Sequence, residues 1–275
     1  AYVSENLYVI EANPRASRTV PFVSKATGVQ MAKAAVLIGL GKSIADLKAE
    51  GYLPSNMDGA SLPEETAIAV KAAVLPFARF RTPEGVVVDS LLSPEMRSTG
   101  EVMGLDKHYD TAFAKAQAGA GSPLPTSGKV FISVANHDKR NVIIYAEMLE
   151  SLGFEIVSTG GTAEILRRNG LNSVIVASKF AEANGDHSIV DMVRNGDIDL
   201  ILNTPAGGAA RSDGYEIRAA AVSVGCPVMT TISEFAAAVQ AINALREHSW
   251  DIMSLQEHGV QLAAAVDARS EGGEA

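Results

Sequence analysis

The sequence predicts an α/β protein whose second half is a parallel sheet covered by helices on both faces. From residue 129 onward, short apolar runs such as Val174–Val176 and Leu200–Leu202 alternate with helical segments, as expected of strands that are buried on both faces. Ahead of this region, residues 119–128 are rich in glycine, serine and proline without periodicity, which is typical of a linker. We therefore expect two domains, at 1–127 and 128–275.

The elements of the first half follow one another less regularly. We expect a strand at 7–12, an apolar link at 20–28, helices at 30–38 and 44–47, strands at 67–75 and 98–104, and a helix at 109–118. Ser43 is placed to cap the second helix. The first strand begins almost at residue 1, with nothing before it to pair with, and the sequence starts at Ala1 without a methionine. These two features lead us to expect that the chain is part of a longer one.

The second half is read as a series of strand–helix units. We expect strands at 129–134, 154–157, 173–176, 200–203 and 227–229, and helices at 138–152, 163–169, 188–194, 217–224 and 233–246. In such a fold, ligands bind beyond the carboxyl ends of the strands. The sequence therefore predicts that polar residues following these strands form one site.

Composition excludes several classes of function. A hydrophobic content of 47% is enough for a substantial core, and the single cysteine, Cys226, rules out an internal disulfide and fits a reducing compartment. A formal charge of −9 without a long basic run argues against a nucleic-acid partner. No apolar run has membrane-spanning length and no signal peptide is evident. We expect a soluble, cytoplasmic chain with Cys226 as a core thiol.

Four residues near the start form a candidate metal and phosphate site. Glu11 and Asn13 lie two apart on a predicted strand, so their side chains project from one face. A carboxylate and an amide oxygen suit a hard cation such as Mg²⁺. Arg15 and Arg18 follow at a distance suited to holding phosphoryl oxygens. The same pattern also fits a strand end with an ordinary surface Glu–Arg pair.

A second candidate site is the turn from Ser158 to Thr162. An apolar run ends at Val157, two glycines follow, and a helix comes next. The backbone N–H groups of a helix start favour an anion such as phosphate, and glycines let the backbone approach it closely. The pattern is neither a Walker loop nor a GxGxxG. It fits a phosphate cradle and a simple capped turn equally well.

Other strand ends favour the phosphate-binding interpretation. Hydroxyls, amides, glycines and two lysines follow the strands and should meet at one edge of the sheet. Together they favour a phosphate-bearing ligand. The residues are Ser133, Lys139, Thr159, Gly160, Gly161, Thr162, Lys179, Asn203 and Thr204.

Two stretches carry a resemblance to a known family. Glu11–Gly28 (EANPRASRTVPFVSKATG) and Pro94–Gly104 (PEMRSTGEVMG) closely resemble the carbamoyl-phosphate synthase large chain. The first stretch looks like the end of its second ATP-grasp unit, and residues from Lys129 onward are similar to its regulatory domain. The resemblance covers essentially the whole chain. It implies a partial ATP-grasp α+β segment followed by a methylglyoxal-synthase-like, Rossmann-type α/β domain.

The resemblance also implies a function and its ligands. The family makes carbamoyl phosphate from ATP, bicarbonate and glutamine-derived ammonia, for pyrimidine and arginine biosynthesis, together with a glutaminase small chain, and it can self-associate. Glu11 and Asn13 would hold Mg²⁺ or Mn²⁺ with ATP, K⁺ would be a further cation, and Arg15 and Arg18 would contact the transferred phosphoryl group. The nine strand-end residues would bind a nucleotide monophosphate effector, UMP or IMP.

Three departures from the family pattern qualify this reading. Pro205 replaces a threonine of some members, which leaves the effector open, and Ala72 replaces a glutamate of ornithine-activated members, which argues against that activator. The glycine-rich lid of the ATP-grasp unit is absent from these residues, so the chain alone should be inactive. One alternative is an isolated regulatory module. A methylglyoxal synthase is disfavoured because Thr204 stands where that enzyme carries an aspartate, while Asp186 with His187 reads as a helix cap.

Overall fold

Helices and strands alternate along the chain in the computed structural model, which describes residues 2–3, 6–9, 11–55, 66–79, 89–91, 100–178, 188–205, 214–247 and 250–272. The described strands are β1 (Tyr2–Val3), β2 (Asn6–Leu7), β3 (Ile68–Val74), β4 (Gly100–Asp106), β5 (Lys129–Ser133), β6 (Glu155–Ser158), β7 (Ile175–Val176), β8 (Leu200–Asn203) and β9 (Val228–Met229). The described helices are α1 (Thr19–Thr27), α2 (Met31–Gly39), α3 (Ile44–Ala49), α4 (Tyr109–Gly119), α5 (Ile143–Ser151), α6 (Gly160–Arg168), α7 (Ile189–Arg194), α8 (Tyr215–Val224), α9 (Ile232–Glu247) and α10 (Leu255–Gly272).

A five-stranded sheet organises the second half of the chain. Its strands lie in the order β7-β6-β5-β8-β9, and every neighbouring pair is parallel. The strands are short and apolar because helices cover both faces, so successive side chains are buried alternately above and below the sheet. The predicted α/β class with a parallel sheet is confirmed.

The core lies on both faces of this sheet. In β5, Val130 and Ile132 pack into one buried cluster with residues of α5, α6 and α9, while Phe131 packs into a second cluster with residues of α7 and α8. All three side chains are fully buried. β5 is also the central strand in the sheet order, so other strand ends lie on both sides of its carboxyl end.

An antiparallel hairpin and a helix precede the sheet. β3 pairs with β4 along its whole length, from Ile68 with Asp106 to Val74 with Gly100. α4 lies directly on this hairpin at Gly104, where a Cβ would come within 1.9 Å of the Ala112 carbonyl oxygen. Only glycine permits this approach. Phe113 of α4 also belongs to the larger core cluster of the sheet.

The chain divides into two compact units. One contains Ala1–Thr66 and Ile252–Ala275, and the other contains Ala67–Asp251. The predicted linker at 119–128 lies inside the second unit, because α4 shares a core with the sheet. The assignment of 1–127 and 128–275 to two domains remains a prediction. Among the described residues, no helix combines the length and apolarity required to cross a membrane.

Helix α1 replaces the link expected at 20–28. Pro21 does not break this helix, because it falls in the first turn, where its missing N–H would have no intrahelical acceptor. Gly28 ends the helix with a φ of 73°, a left-handed conformation that glycine adopts at low cost. The expectation of a link was wrong because the position of the proline decides its effect.

The strand expected at 7–12 was also wrong for the residues described. β2 ends at Leu7 after pairing antiparallel with β1, and residues 8–9 and 11–14 are not in a strand. Period-2 alternation by itself does not supply a neighbouring strand for the backbone groups. Glu11 and Asn13 therefore lie in an irregular segment and not at the end of a strand.

Capping decides where several helices begin. Ser43 caps α3 in a reciprocal capping box with Asp46, as predicted. α10 was not predicted, although Ser254 and Glu257 form the same type of box at its start, with the Glu257 N–H donating to Ser254 Oγ at 3.2 Å. The spacing of serine and glutamate was the signal that could have found this helix.

Two helix starts near the sheet edge differ from the predicted ones. α5 begins at Ile143 and not at 138, because residues 136–142 form successive turns. α6 begins at Gly160 and not at 163, so both glycines of the predicted turn belong to its first turn. The other predicted strands and helices of the sheet agree with the structure to within three residues at each end.

Candidate functional site

The carboxyl ends of three adjacent strands meet at one edge of the sheet. Ser133 of β5 is in register with Asn203 of β8, and Ile132 is in register with Ser158 of β6. From β5 the chain proceeds outward to β6 and β7, then returns to the other side of β5 as β8. This reversal is a topological switch point, where open α/β sheets bind their ligands.

Hydroxyl and amide groups join these strand ends. Ser133 Oγ and Thr159 Oγ1 lie 3.2 Å apart in a hydrogen bond. The Thr204 N–H donates to the Ser133 carbonyl oxygen at 3.2 Å, and the Asn203 amide donates to the same oxygen at 3.5 Å. The structure therefore brings these four predicted residues together along one edge.

Two buried threonines hold the segment that follows β5. Thr204 Oγ1 accepts from the Ala135 N–H at 2.8 Å, and Thr162 Oγ1 accepts from the Val134 N–H at 3.4 Å. Both threonines are at least nine-tenths buried. Their hydroxyls therefore satisfy backbone groups that would otherwise lie buried without a partner, and they fix the start of the 136–142 turns.

The N-terminus of α6 opens onto the same edge. Thr159 is the N-cap residue, but its side chain makes no capping hydrogen bond, since its hydroxyl bonds to Ser133. The N–H groups of Gly160 and Gly161, in the first turn, have no acceptor within the helix. The positive end of the helix dipole and these donors favour an anion at this position.

Lys139 lies beside this helix terminus. The turns at 136–142 bring its ammonium group so close that a Cβ on Gly161 would lie 3.3 Å from Lys139 Nζ. A positive charge next to the positive end of a helix is unfavourable by itself. An anion between the two would be attracted by both, so this arrangement favours phosphate binding over a simple capped turn.

One residue that the sequence did not single out is central to the edge. Arg218 of α8 is fully buried, and its Nη1 donates to Asn203 Oδ1 at 2.9 Å. Its Nε and Nη2 donate to the two carboxylate oxygens of Asp89, both at 2.7 Å. A buried arginine needs such partners to offset its desolvation. The sequence offered no signal for this pairing beyond the residue types themselves.

Two groups among the described residues of this unit have raised pKa values. Burial raises the pKa of Glu234, only partly offset by a hydrogen bond from the Thr230 N–H. Burial, with a smaller effect of Asp199, raises the pKa of the Cys226 thiol to about 12. A thiol with so high a pKa is almost entirely protonated near neutral pH and is a poor nucleophile. Cys226 itself is half-buried and packs against the second core cluster.

The metal and phosphate candidates near the start belong to the other unit. Asn13 Nδ2 donates to Glu11 Oε1 at 2.9 Å, so the two side chains lie together in an irregular segment, with the amide nitrogen and not the amide oxygen toward the carboxylate. Arg15 and Arg18 follow in the same exposed segment, immediately before α1. Within the described parts of the chain, no three His, Cys, Asp or Glu side chains cluster as metal ligands.

Some predicted positions lie outside the described residues. They are Lys179, the Asp186–His187 pair and residues 94–99 of the second family-like stretch. Lys179 follows β7 by three residues, so its predicted place at the sheet edge rests on the sequence alone.

Comparisons with known proteins give matches in both units. The family model for the MGS-like domain matches residues 141–230, which include α6 and the end of β8. The family model for the carbamoyl-phosphate synthase L chain, ATP binding domain, matches residues 1–47, which include Glu11, Asn13, Arg15 and Arg18. The second match covers the whole of the candidate metal and phosphate site, and the first covers the part of the sheet-edge site that follows Ser133 and Lys139.

The curated relatives include several bacterial proteins with one name. The carbamoyl phosphate synthase large chain of Kocuria rhizophila is 69% identical over 260 residues, which are 94% of this chain and 23% of the relative. That of Micrococcus luteus is 64% identical over 269 residues, 97% of this chain and 24% of the relative. That of Streptomyces griseus is 56% identical over 263 residues, which are 95% of this chain and 24% of the relative.

These relatives match almost the whole of the present sequence. The chain itself spans about a quarter of the length of each of them. The order of the two matched domains agrees with the resemblance seen in the sequence. The chain belongs to the carbamoyl phosphate synthase large-chain family, as a segment of it.

Proposed function

We propose that the edge formed by β5, β6 and β8 binds a nucleoside monophosphate, UMP or IMP, as an allosteric effector. The observation that carries this proposal is the position of Lys139 Nζ beside the first turn of α6. A phosphate between them would neutralise the ammonium group and accept from the N–H groups of Gly160 and Gly161. A neutral or positively charged ligand would not offset the repulsion between the Lys139 ammonium group and the positive end of α6, whereas an anionic ligand would.

The remaining strand-end residues would contact the phosphate and the rest of the nucleotide. Ser133 and Thr159 present hydroxyl groups next to the α6 terminus, and hydroxyls both donate and accept hydrogen bonds. Asn203 and Thr204 border the site on the β8 side. We assign Lys179 to the same site as a second cation for the phosphate, on the basis of its position in the sequence.

We further propose that the complete large chain makes carbamoyl phosphate from ATP, bicarbonate and glutamine-derived ammonia, in pyrimidine and arginine biosynthesis in the cytoplasm. It would act with a glutaminase small chain and self-associate. In this enzyme the present chain would provide part of the site that phosphorylates carbamate and the domain that senses the effector. The matched families and the names of the relatives support this.

Glu11 and Asn13 would hold the divalent cation, Mg²⁺ or Mn²⁺, that accompanies ATP, and K⁺ would be an additional ion. Their side chains lie side by side and carry the carboxylate and amide oxygens that such a cation prefers. To bind it, Asn13 would turn its amide oxygen toward the cation in place of the Nδ2 group that donates to Glu11. When bound, the cation would neutralise charge on the nucleotide phosphates. Arg15 and Arg18 would orient the transferred phosphoryl group and stabilise its negative charge by charge-assisted hydrogen bonds.

Calorimetry of the chain with UMP and with IMP tests the effector site. We expect binding of at least one nucleotide and a loss of roughly 10- to 100-fold in affinity for Lys139→Ala, because a hydrogen bond to a charged group contributes about 1.5–3 kcal/mol. Lys129→Ala is the matched control, since Lys129 begins β5 at the opposite edge of the sheet. Equal affinities of the two variants would refute the assignment of Lys139.

The catalytic assignment requires the complete large chain with its small chain. Arg15→Ala should lower the rate of carbamoyl phosphate formation by about 100-fold or more, as expected when a positioned charge is removed from a phosphoryl-transfer site. Lys25→Ala removes the same charge from an exposed position on α1 and serves as the control. The present chain alone should hydrolyse no ATP; turnover by it would contradict the proposed division of roles.

A further inference from the structure

The buried arginine of α8 connects the nucleotide edge to a distant segment of the chain. Among the described residues, Arg218 donates two hydrogen bonds to Asp89 and one to Asn203 Oδ1. Asp89 lies ahead of β4, and its Oδ1 also accepts from the Leu91 N–H at 3.0 Å, so the segment 89–91 is itself folded around this carboxylate. The two-point pairing with Asp89 fixes the plane of the guanidinium group.

This pairing decides which end of the Asn203 amide remains for a ligand. An asparagine side chain has one acceptor oxygen and two N–H donors. At Asn203 the oxygen is occupied by Arg218, and one N–H is directed to the Ser133 carbonyl oxygen at 3.5 Å. The oxygen keeps a second lone pair, but Gly214 crowds it, since a Cβ there would lie 2.4 Å from Asn203 Oδ1. The second amide N–H is therefore the group left for a further partner, and a ligand atom that it recognises must be an acceptor.

Gly214 packs closely against both Arg218 and Asn203. A Cβ on Gly214 would lie 2.3 Å from Arg218 Nη1 and 2.4 Å from Asn203 Oδ1. The backbone at Gly214 has φ of −92° and ψ of −7°, the conformation of the third residue of a type I turn, which does not require glycine. The absence of a side chain is therefore required by the contact between the two polar groups and not by the backbone conformation.

We propose that Arg218 is a positioning residue of the nucleotide site: held by Asp89, it fixes the Asn203 amide as a hydrogen-bond donor toward an acceptor atom of the nucleotide. This inference rests on the proposed effector function. It makes nucleotide affinity dependent on the segment 89–91, which precedes β4 and lies well before the sheet in the sequence. A side chain outside the pocket thereby selects ligands by the polarity of the atom facing Asn203.

The test is a double-mutant cycle on nucleotide affinity, with Gly214→Ala and Asn203→Ala. Each single variant should weaken binding of the nucleotide that the wild type prefers by about tenfold, the effect of losing one hydrogen bond to a charged or strongly polar acceptor. Because Gly214→Ala acts through Asn203, the double variant should bind no more weakly than the single ones. Gly119→Ala is the control, since the nearest atom to its Cβ would be Val102 Cβ at 3.5 Å, an ordinary contact distance.

The cycle separates positioning from general destabilisation. A merely structural effect of Gly214→Ala would weaken binding by its own factor in the Asn203→Ala background, giving about 100-fold in the double variant, and would overturn the proposal. Wild-type affinity in Gly214→Ala would also overturn it. If the wild-type chain bound neither UMP nor IMP, the proposed function would fail instead, and this role with it.

A spectroscopic measurement follows the arrangement without ligand. The Arg218 Nε–H group, buried and bonded to Asp89, should give a slowly exchanging ¹H–¹⁵N signal at neutral pH. Asp89→Asn should abolish this slow exchange and weaken nucleotide binding by several-fold through the loosened Asn203 amide. Retention of wild-type affinity in Asp89→Asn, with the Arg218 signal lost, would refute the link between the segment 89–91 and the pocket.

Discussion

The hydroxyl of Thr204 should stabilise the nucleotide edge by satisfying one buried backbone group. Thr204 Oγ1 accepts from the Ala135 N–H at 2.8 Å, and the two residues are 7% and 4% exposed. Thr204→Val replaces the hydroxyl by a methyl group of nearly the same size. The substitution leaves no cavity, but it leaves the Ala135 N–H buried without an acceptor.

The expected loss in the free energy of unfolding comes from the unpaired Ala135 N–H. A buried donor that loses its acceptor costs about 1–3 kcal/mol, which corresponds to a decrease in Tm of roughly 2–10 °C for a unit of this size. Thr204→Ser keeps the hydroxyl and removes one methyl group, at about 0.8 kcal/mol. The two variants can therefore have similar Tm values and must be distinguished by a local measurement.

Amide hydrogen exchange at Ala135 is that measurement. In Thr204→Val the Ala135 N–H should exchange faster by roughly 5- to 150-fold, the range equivalent to 1–3 kcal/mol, whereas Thr204→Ser should keep its protection. Since Lys139 follows four residues later, Thr204→Val should also weaken nucleotide binding more than Thr204→Ser does. Equal exchange rates of Ala135 in the two variants would show that the hydroxyl does not hold this segment.

Three further predictions concern the same unit. Gly104→Ala should lower the free energy of unfolding in urea by about 1–3 kcal/mol or more, because the new Cβ overlaps the Ala112 carbonyl oxygen; Gly119→Ala should change it by less than half as much. Burial raises the pKa of Glu234. The free energy that the protonated Glu234 side chain contributes to folding is therefore complete below the unfolded-state pKa of about 4.3, and it is lost as the pH rises through the folded-state pKa. Glu234→Gln should therefore raise Tm at pH 7 and leave it unchanged near pH 4; equal Tm differences at both pH values would contradict this. Cys226, with a pKa of about 12, should react with an aromatic disulfide reagent at pH 8 much more slowly in the native chain than after denaturation, and equally rapid labelling of the native chain would contradict the raised pKa.

Much of the fold was predictable because it depends on local patterns. β8 lies at the predicted residues, and the Ser43 cap of α3 was recognised from residue type and position. The errors also have local causes. Pro21 is compatible with the first turn of α1, and the alternation at 7–12 lacked a partner strand for most of its length.

The candidate nucleotide site was predictable in part. Ser133, Thr159 and Asn203 were expected at one edge because the carboxyl ends of parallel strands must meet there. The start of α6 at Gly160 was not predicted, because glycine is disfavoured in a helix interior. Gly160 and Gly161 are tolerated because they lie in the first turn of the helix. The contact of Lys139 with that turn depends on the folded turns at 136–142.

The sequence by itself determined the α/β class, the edge of the sheet that carries the polar residues, and the family. These properties follow from periodicity, residue type and motif, which are all local. The tertiary structure alone decided that Arg218 pairs with Asp89, 129 residues away, and thereby orients Asn203. Such a pairing is stable only where packing removes water from both partners, and no local pattern records which distant residues the fold brings into contact.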